Sequence, residues 1–321
     1  MLKSLRQRLE TLGLVFAEWF VPKLPRRTCA WLGETMGGLL FHLARHSRHV
    51  ALANINAVYG NSLPAAERRR IAKMSFRNFG RGMIDLFWSP RLTADNWRDF
   101  LKVEGMENIE DTKKNDVGRI FVASHAGAFE WGFMPAGFLG LHGIGVAETY
   151  RNEALTGTFH RLRGICGQEI IPQQGAFLRM FKHLKRGGTV GSMVDLSIHP
   201  KQAATIIRSF GREACTPMLH AVLQERIGVA IMPIVAEAQP DGTCRVHFLP
   251  ALRRREGETV QHIAQRTWDV FESFIREKPE RWLWAYKHWR HLPADATVPY
   301  PFYANSSKPF EKLKRTLAKA R

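Results

Sequence analysis

The stretch that decides the fold is Arg119-Ile120-Phe121-Val122-Ala123-Ser124-His125-Ala126-Gly127-Ala128-Phe129-Glu130. Its short apolar run, residues 120–123, predicts a β-strand of an α/β sheet. Gly127 eases the turn that follows, and a helix is predicted from residue 129. A strand that leads through a short turn into a helix is typical of an α/β sheet, where ligands collect at the carboxyl ends of the strands.

A histidine and a carboxylate follow this strand, at His125 and Glu130. A neutral imidazole can take a proton from a hydroxyl, and a carboxylate beside it fixes its tautomer and stabilises the imidazolium. Residues five apart on one helix point about 140° away from each other, so the pairing requires His125 to lie in the turn, with Ser124 as the helix N-cap. With 13 His and 29 acidic residues, such a spacing also arises by chance. The alternative is a histidine that only satisfies a turn.

Short β-runs and helical segments alternate beyond residue 100, which predicts an α/β fold with a central mixed sheet flanked by helices. The predicted strands are residues 101–103, 119–123, 143–148, 169–171, 189–194, 205–210, 229–235 and 244–249. The predicted helices are residues 129–140, 154–165, 175–186, 215–227 and 257–277. We therefore divide the chain into a mostly helical membrane-associating region (1–100), an α/β domain (101–292) and a basic C-terminal tail (293–321), interpreted as a surface strap or a second membrane contact.

The N-terminal segment has the pattern of an amphipathic helix that lies in a membrane interface. We expect no cleavable signal, and the apolar stretch at residues 12–21 is too short and interrupted for a clear membrane span, although a spanning helix stays the alternative. Basic residues placed to meet anionic headgroups follow at once: Lys23, Arg26 and Arg27. A helix packed on the domain would show the same periodicity. The apolar positions at helical spacing are Leu2, Leu5, Leu9, Leu12, Phe16 and Trp19.

The charge balance points to polyanionic partners, since the formal net charge is +18 and the sequence pI is near 10.2. Nucleic acid, an anionic membrane surface, a phosphorylated substrate and an acidic protein all fit such a charge. No zinc spacing, RNA-binding motif or helix-turn-helix is recognisable, and the basic residues are spread along the chain, which disfavours nucleic acid. A non-catalytic membrane-binding protein is the other alternative. The four cysteines form no Cys-x-x-Cys pair, and we predict no metal or cofactor.

Several motifs, taken in order, resemble the late acyltransferases of lipid A biosynthesis, the lauroyl and myristoyl transferases, within the lysophospholipid acyltransferase superfamily. The most specific are His125 with Glu130 and the C-terminal Pro279-Glu280-Arg281-Trp282-Leu283-Trp284-Ala285-Tyr286-Lys287. The resemblance runs from the N-terminal helix to about Arg290. The further motifs are Asn54-Ile55, residues 103–107 (Val-Glu-Gly-Met-Glu), residues 184–188 (Leu-Lys-Arg-Gly-Gly) and residues 209–216 (Ser-Phe-Gly-Arg-Glu-Ala-Cys-Thr).

The resemblance implies a glycerolipid acyltransferase-like fold and a direct acyl transfer at the cytoplasmic face of the inner membrane. The donor would be an acyl carrier protein thioester, and the acceptor a hydroxyl of a phosphorylated glycolipid, the lipid A precursor. His125 would act as the general base and Glu130 would orient it. A Cys or Ser acyl-enzyme is the competing mechanism, but Cys166 and Cys215 have no histidine beside them in the sequence.

The resemblance also suggests substrate-binding residues. Arg163 stands where the family carries an arginine, and Arg161 lies two residues earlier. An arginine fork suits a phosphate or phosphopantetheine oxygen, although a surface arginine is the ordinary alternative. Asp195 matches the aspartate of the family's Asp-Gln pair, but Leu196 replaces the glutamine, which leaves another glycolipid or lysolipid open as the acceptor. The basic positions after the tryptophan-rich motif are Lys287 and Arg290.

Overall fold

A seven-stranded sheet forms the centre of the protein in the computed structural model, which describes residues 2–319, and their side chains except those of 2–6, 61 and 115. The strand order is β1-β9-β8-β2-β5-β3-β4. The strands of this sheet and of a neighbouring hairpin are β1 (Leu101–Glu104), β2 (Arg119–Ala123), β3 (Gly143–Ala147), β4 (Glu169–Pro172), β5 (Thr189–Met193), β6 (Ala204–Ser209), β7 (Arg212–Pro217), β8 (Ile231–Ala238) and β9 (Cys244–Phe248). Two short strands, β10 (His291–Leu292) and β11 (Asn305–Ser306), pair with each other.

The sheet is mixed, as the sequence predicted. Strands β2, β3, β4, β5 and β8 run parallel, while β9 is antiparallel to β8 and parallel to β1. All five residues of β2 are buried, because this strand lies between β5 and β8 with helices on both faces of the sheet. The carboxyl ends of the central parallel strands therefore meet at one edge, which is where the site described below is built.

The helices pack on both faces of the sheet, and the first four form a long N-terminal bundle. Within the described residues, no helix has the length and apolar character to cross a membrane. The helices are α1 (Leu2–Phe20), α2 (Arg26–Leu43), α3 (Arg45–Tyr59), α4 (Ala65–Trp88), α5 (Trp97–Phe100), α6 (Met106–Asn115), α7 (Phe129–Gly132), α8 (Met134–Phe138), α9 (Glu153–Arg163), α10 (Ala176–Lys185), α11 (Leu219–Ile227), α12 (Val260–Glu277) and α13 (Lys308–Lys319).

The N-terminal bundle and the sheet share their hydrophobic cores. Phe41 and Ile55 belong to the same buried cluster as Val122 of β2, and Ile84 belongs to a second cluster with Phe121. Arg26, predicted to meet headgroups, is instead buried, with its guanidinium 2.6 Å from Asp85 Oδ1. A buried guanidinium needs such a carboxylate because an unpaired charge in the interior is costly. Helices α2 and α4 are therefore joined by packing and by an internal ion pair.

Glycines let α2 and α4 approach closely. A Cβ at Gly37 would collide with the Phe76 carbonyl oxygen, and one at Gly33 would lie 2.6 Å from the Arg81 Cα. On the facing helix, a Cβ at Gly80 would collide with the Gly33 carbonyl oxygen. Neither backbone can yield easily, because both belong to regular helices. The contact between the two helices therefore requires glycine at these positions.

Gly37→Ala is expected to lower the free energy of unfolding by about 1–3 kcal/mol, because the added methyl group forces the two helices apart. Gly38→Ala is the matched control, since its Cβ would meet only the Arg77 Cγ at 3.7 Å. That change should leave stability unaltered or raise it by up to about 1 kcal/mol through better helix propensity. Urea unfolding of the two variants measures the difference, and equal stabilities would contradict the close approach.

All eight predicted strands are confirmed, but the strands β7, β10 and β11 and the helices α6 and α13 were not predicted. The helix predicted at residues 129–140 is divided into α7 and α8, and the helix predicted from residue 257 begins at Val260. Residues 212–217 form β7, which pairs with β6 in a hairpin, so the helix predicted from residue 215 begins at Leu219. The hairpin turn is Phe210-Gly211, with φ of 49° and 78°. Positive φ at both positions is the geometry of a tight turn between twisted strands. Phe210 tolerates it because its ring packs among Trp282 and Trp284, and Glu272 accepts its backbone N–H at 2.7 Å.

The C-terminal tail packs on this hairpin. Phe310 of α13 is fully buried against Ile206 and Cys215. The Lys314 amine lies 2.8 Å from Glu213 Oε2. The helix thereby covers one face of the hairpin with an apolar anchor and an ion pair at its edge.

Candidate functional site

Two side chains leave the central strands at the same edge of the sheet. Strands β2 and β5 are parallel neighbours, with Ala123 opposite Met193. Two residues further along each chain segment, His125 Nδ1 lies 2.8 Å from Asp195 Oδ1. His125 is in the turn after β2, as the sequence predicted, but its hydrogen-bond partner is Asp195 rather than Glu130.

The Asp195 carboxylate is almost completely buried and accepts three hydrogen bonds. Besides the ring of His125, its Oδ2 accepts the backbone N–H of His125 at 2.8 Å and the indole N–H of Trp282 at 2.9 Å. Burial alone would raise the pKa of Asp195, but His125 and these hydrogen bonds outweigh it and lower the pKa to about 2. Asp195 is therefore ionised at neutral pH and can only accept hydrogen bonds.

This carboxylate sets the tautomer of His125. Because Asp195 only accepts, Nδ1 of the ring carries the proton and Nε2 keeps its lone pair for another partner. Burial would lower the pKa of His125, but the charge of Asp195 and its hydrogen bond outweigh that effect and raise the pKa above its usual value. The side chain is 21% exposed, so Nε2 is accessible. The pair has the geometry of a general base with its orienting acid.

The tryptophan-rich C-terminal segment holds the turn in place. The backbone N–H of Gly127 donates to the Arg281 carbonyl at 2.9 Å, and the N–H of Leu283 donates to the His125 carbonyl at 3.0 Å. Gly127 has φ of 63°, and a Cβ there would collide with the Ala236 carbonyl oxygen. The turn therefore needs glycine, and its hydrogen bonds fix the backbone on both sides of His125.

Trp282 serves this site as well as the core. Its side chain is fully buried, and its indole N–H donates to Asp195. His288 stacks on the Trp282 ring with centroids 3.8 Å apart. Burial lowers the pKa of His288 to about 4, so this second imidazole is neutral and adds no competing charge beside Asp195.

Glu130 makes a different partnership from the predicted one. It lies at the start of α7, and its carboxylate takes a bidentate pair of hydrogen bonds from Arg163, at 2.6 and 2.8 Å. Because both carboxylate oxygens face the guanidinium, the predicted direct contact of Glu130 with His125 is not made. Burial would lower the pKa of Arg163, but Glu130 outweighs it and raises the pKa, so the guanidinium stays charged. The charge of Glu130 still adds to the raised pKa of His125.

His125, Glu130 and Arg163 line a cavity of about 630 Å³. Gly145 and Gly191 of the central strands also line it and have no side chain to fill it. The remaining wall is mostly apolar. Its larger apolar side chains include Phe133, Met134, Val146, Ile170, Phe177 and Leu196. The cavity can therefore hold a long apolar group with its polar end beside Nε2 of His125.

The other predicted substrate-binding residues lie outside this cavity. Arg161 is exposed and pairs with Glu18 of α1 at 2.8 Å, because residues two apart on a helix face nearly opposite directions and Arg163 takes the cavity side. Lys287 lies over the ring of Tyr303, and Arg290 lies over the ring of Tyr286. Asp195 is beneath His125 rather than open to the cavity. Among the predicted residues, the structure thus brings together His125, Asp195, Glu130 and Arg163.

Ser124 lies in the turn before α7, and the four cysteines lie in the core. Ser124 does not cap a helix, because α7 begins at Phe129 with Ala128 as its N-cap residue. The four cysteines are buried and free. Burial raises the pKa of Cys166 to about 11 and that of Cys215 to about 12, so neither thiol ionises readily.

Comparisons with known proteins identify the family of this chain. Residues 2–291 match the family model described as bacterial lipid A biosynthesis acyltransferase. The lipid A biosynthesis palmitoleoyltransferase of Escherichia coli (strain K12) is 21% identical over 306 residues, which cover 88% of this chain and 91% of that protein. The lipid A biosynthesis acyltransferase of Shigella flexneri gives the same identity and coverage.

Among solved structures, the 1-acyl-sn-glycerophosphate acyltransferase of Thermotoga maritima aligns with 79% of this chain and 99% of its own, at 14% sequence identity and a TM-score of 0.36. The family model is the more informative comparison, because it spans the N-terminal bundle, the sheet and the tryptophan-rich segment together. The chain therefore belongs to the bacterial lipid A biosynthesis acyltransferase family.

Proposed function

We propose that this acyltransferase moves a fatty acyl chain from an acyl carrier protein thioester to a hydroxyl of a phosphorylated lipid A precursor, with His125 as the general base. The observation that carries the proposal is that His125, paired with Asp195, lines a mostly apolar cavity. A base in that position meets both requirements of the reaction, since the acceptor hydroxyl must lose a proton and the acyl chain must leave water.

The proposed reaction is one direct displacement. Nε2 of His125 takes the hydroxyl proton as the acceptor oxygen attacks the thioester carbonyl carbon. The carbon–sulfur bond then breaks, the thiolate takes the proton back from the imidazolium, and the products are the acyl ester and the free thiol of the carrier. Asp195 stabilises the imidazolium through its hydrogen bond to Nδ1. An acyl-enzyme on a cysteine is disfavoured, because burial raises the pKa of Cys166 and Cys215.

Arg163 and Glu130, which line the cavity together with His125, are assigned a positioning role. Their bidentate ion pair is mostly buried, and it ties α9 to the start of α7, next to the turn that carries His125. A pair of this kind fixes both helices relative to each other more firmly than a surface ion pair. The opposite charges of Arg163 and Glu130 also nearly cancel, so this part of the cavity wall carries little net charge. Such a wall suits an apolar acyl chain.

We propose that the enzyme works at the cytoplasmic face of the inner membrane, held there by the first two helices. Leu12 and Trp19 of α1 and Trp31, Leu39 and Leu43 of α2 are each more than half exposed. Large apolar side chains in such numbers on adjoining segments are unusual for a surface in water. The Lys23 amine lies 3.4 Å from the Trp19 ring centroid, an arrangement typical of a membrane interface.

Gly191→Val is expected to shift donor selectivity toward shorter acyl chains. A Cβ at this position would lie 3.5 Å from the ring of Phe133, which lines the same cavity, so added methyl groups take space from the bound chain. Each methylene that loses its place costs about 0.8 kcal/mol, or roughly fourfold in selectivity. Competition between carrier thioesters of two chain lengths measures the ratio. An unchanged preference would mean that the acyl chain lies elsewhere.

The proposal as a whole is tested by mass spectrometry of lipid A from cells that lack this protein. We expect the loss of one acyl group, restored by a plasmid that carries the wild-type chain. The purified enzyme should also release carrier thiol and form ester in equal amounts when a lipid A precursor is supplied. An unaltered lipid A profile would exclude the lipid A precursor as the acceptor. Turnover of another glycolipid or lysolipid would then identify the acceptor.

A further inference from the structure

A second cavity, of about 1150 Å³, lies between α3, the first turns of α4 and residues 299–302. None of its lining residues belongs to the cavity around His125. We call it the arginine groove, because four arginines line it: Arg45, Arg48, Arg68 and Arg69. No described residue that lines it is acidic, and His49 adds a fifth basic group.

Two of the four guanidinium groups are held by neutral acceptors, and none of the four is neutralised by a carboxylate of the described residues. Arg48 donates to the carbonyl oxygens of Phe41 and His42 at 3.0 and 2.8 Å, and Arg68 donates to the side-chain oxygen of Asn56. Among the described residues, no carboxylate forms an ion pair with any of the four. By contrast, the next arginine along α4, Arg70, is bonded to Glu67. Neutral acceptors orient a guanidinium but leave its charge, so the arginine groove keeps a positive potential suited to an anion.

The surroundings of the arginine groove are apolar and exposed. The last turn of α2, whose carbonyls hold Arg48, exposes Leu40 and Leu43 at 43% and 68%. On the other side, Phe302 lines the groove, is 55% exposed and packs against the His49 ring with centroids 4.3 Å apart. Basic groups framed by exposed apolar side chains match the boundary between phosphate headgroups and acyl chains in a bilayer.

We propose that the arginine groove binds the phosphate of an anionic phospholipid headgroup at the membrane surface. A concave site with an apolar rim fits a headgroup whose chains continue into the bilayer. The convex surface of an acidic protein would reach the exposed Arg45 and Arg69 but not Arg48 and Arg68, which are half-buried. The proposal rests on the membrane association proposed above and adds a lipid preference to it. It assigns the groove no part in the acyl-transfer step.

The test is flotation of the full-length protein with vesicles of phosphatidylcholine alone or mixed with phosphatidylglycerol. The double variant Arg45→Gln/Arg69→Gln should bind the anionic vesicles roughly 30-fold more weakly than the wild type, from about 1 kcal/mol for each lost cation. Its binding to neutral vesicles should not change. The matched control is Arg70→Gln/Arg179→Gln, which removes the same charge from arginines already paired with Glu67 and Glu169, and should bind within about threefold of the wild type.

The outcomes separate this proposal from the others. If both double variants lose binding to anionic vesicles equally, net charge alone explains the effect and the arginine groove is not a specific site. Unchanged binding in both variants would also contradict the proposal. If Arg45→Gln/Arg69→Gln weakens binding of the acidic carrier protein but not of the vesicles, the groove is a protein-docking surface, and the proposal that it binds a lipid is wrong. If the wild type binds neither vesicle, membrane association and this site fall together, while acyl transfer measured in detergent micelles still decides the proposed reaction. Thermal melting of each variant shows that it is folded.

Discussion

His125→Ala is expected to reduce acyl transfer by on the order of 10³-fold, because general-base catalysis contributes roughly 10²–10⁴ and the cavity offers no second base at that position. The fold should survive the change. Asp195 keeps two of its three donors, the backbone N–H of His125 and the indole of Trp282. The measurement is ester formation by the purified variant with a carrier thioester as the donor, together with a thermal melt.

The control for this variant is His262→Ala, at an exposed histidine on α12 that is not part of the cavity. Added imidazole gives a second readout, because the space vacated by the His125 ring opens into the cavity and can admit a small base. Partial recovery of turnover by imidazole, in the variant and not in the wild type, would tie the loss to proton transfer. A folded His125→Ala variant that turns over within about threefold of the wild type would remove His125 from the mechanism.

The fold was largely predictable because its strands are short apolar runs separated by turn residues. Residues 119–123 were predicted as a strand with the bounds that the structure shows. A strand that is buried on both faces forms a continuous apolar run, which is easy to recognise in the sequence. The hairpin strand β7 was missed for a tertiary reason. Phe210 adopts a positive φ because tryptophans and Glu272 surround it. A turn that depends on such tertiary contacts has no signature in the local sequence.

The site was half predictable. His125 and Asp195 were each singled out, but His125 was paired with Glu130 because those two are close in sequence. The actual pairing depends on β2 and β5 being neighbours, although 65 residues separate Ala123 from Thr189 and two other strands come between them along the chain. Strand ends that carry a polar residue two positions past the sheet were a usable signal, since parallel neighbours bring such residues together. Which strands are neighbours is a property of the whole sheet.

Leu196 takes on a clearer meaning in the structure. The sequence marked it as a departure, since a glutamine was expected after the aspartate. It lines the cavity, whereas Asp195 points beneath His125. The two adjacent residues thus have different roles: Asp195 orients His125, and Leu196 forms part of the cavity wall. The substitution therefore changes the polarity of the wall and leaves the pairing of His125 with Asp195 intact.

Asp195→Asn is expected to lower turnover by on the order of 10³–10⁴-fold, through the wrong tautomer of His125. Oδ2 of Asp195 accepts two N–H groups, from the His125 backbone and from Trp282, so the amide oxygen of asparagine must occupy that position. The amide NH₂ then faces Nδ1 and donates to it. The ring proton moves to Nε2, and the nitrogen that should take the hydroxyl proton has no lone pair free.

The pH dependence gives the same variant a second, independent signature. The neutral form of His125 is the active base, so kcat/KM should rise with pH along an acidic limb set by the pKa of His125. Asp195 raises that pKa, by its charge and its hydrogen bond. Removing the negative charge lowers the pKa, so the residual activity of Asp195→Asn should reach its plateau at a lower pH than that of the wild type. The control is Asp269→Asn, at an exposed aspartate of α12, which should move neither the plateau nor the limb. An acidic limb that stays in place or moves to higher pH would show that Asp195 does not set the ionisation of the base.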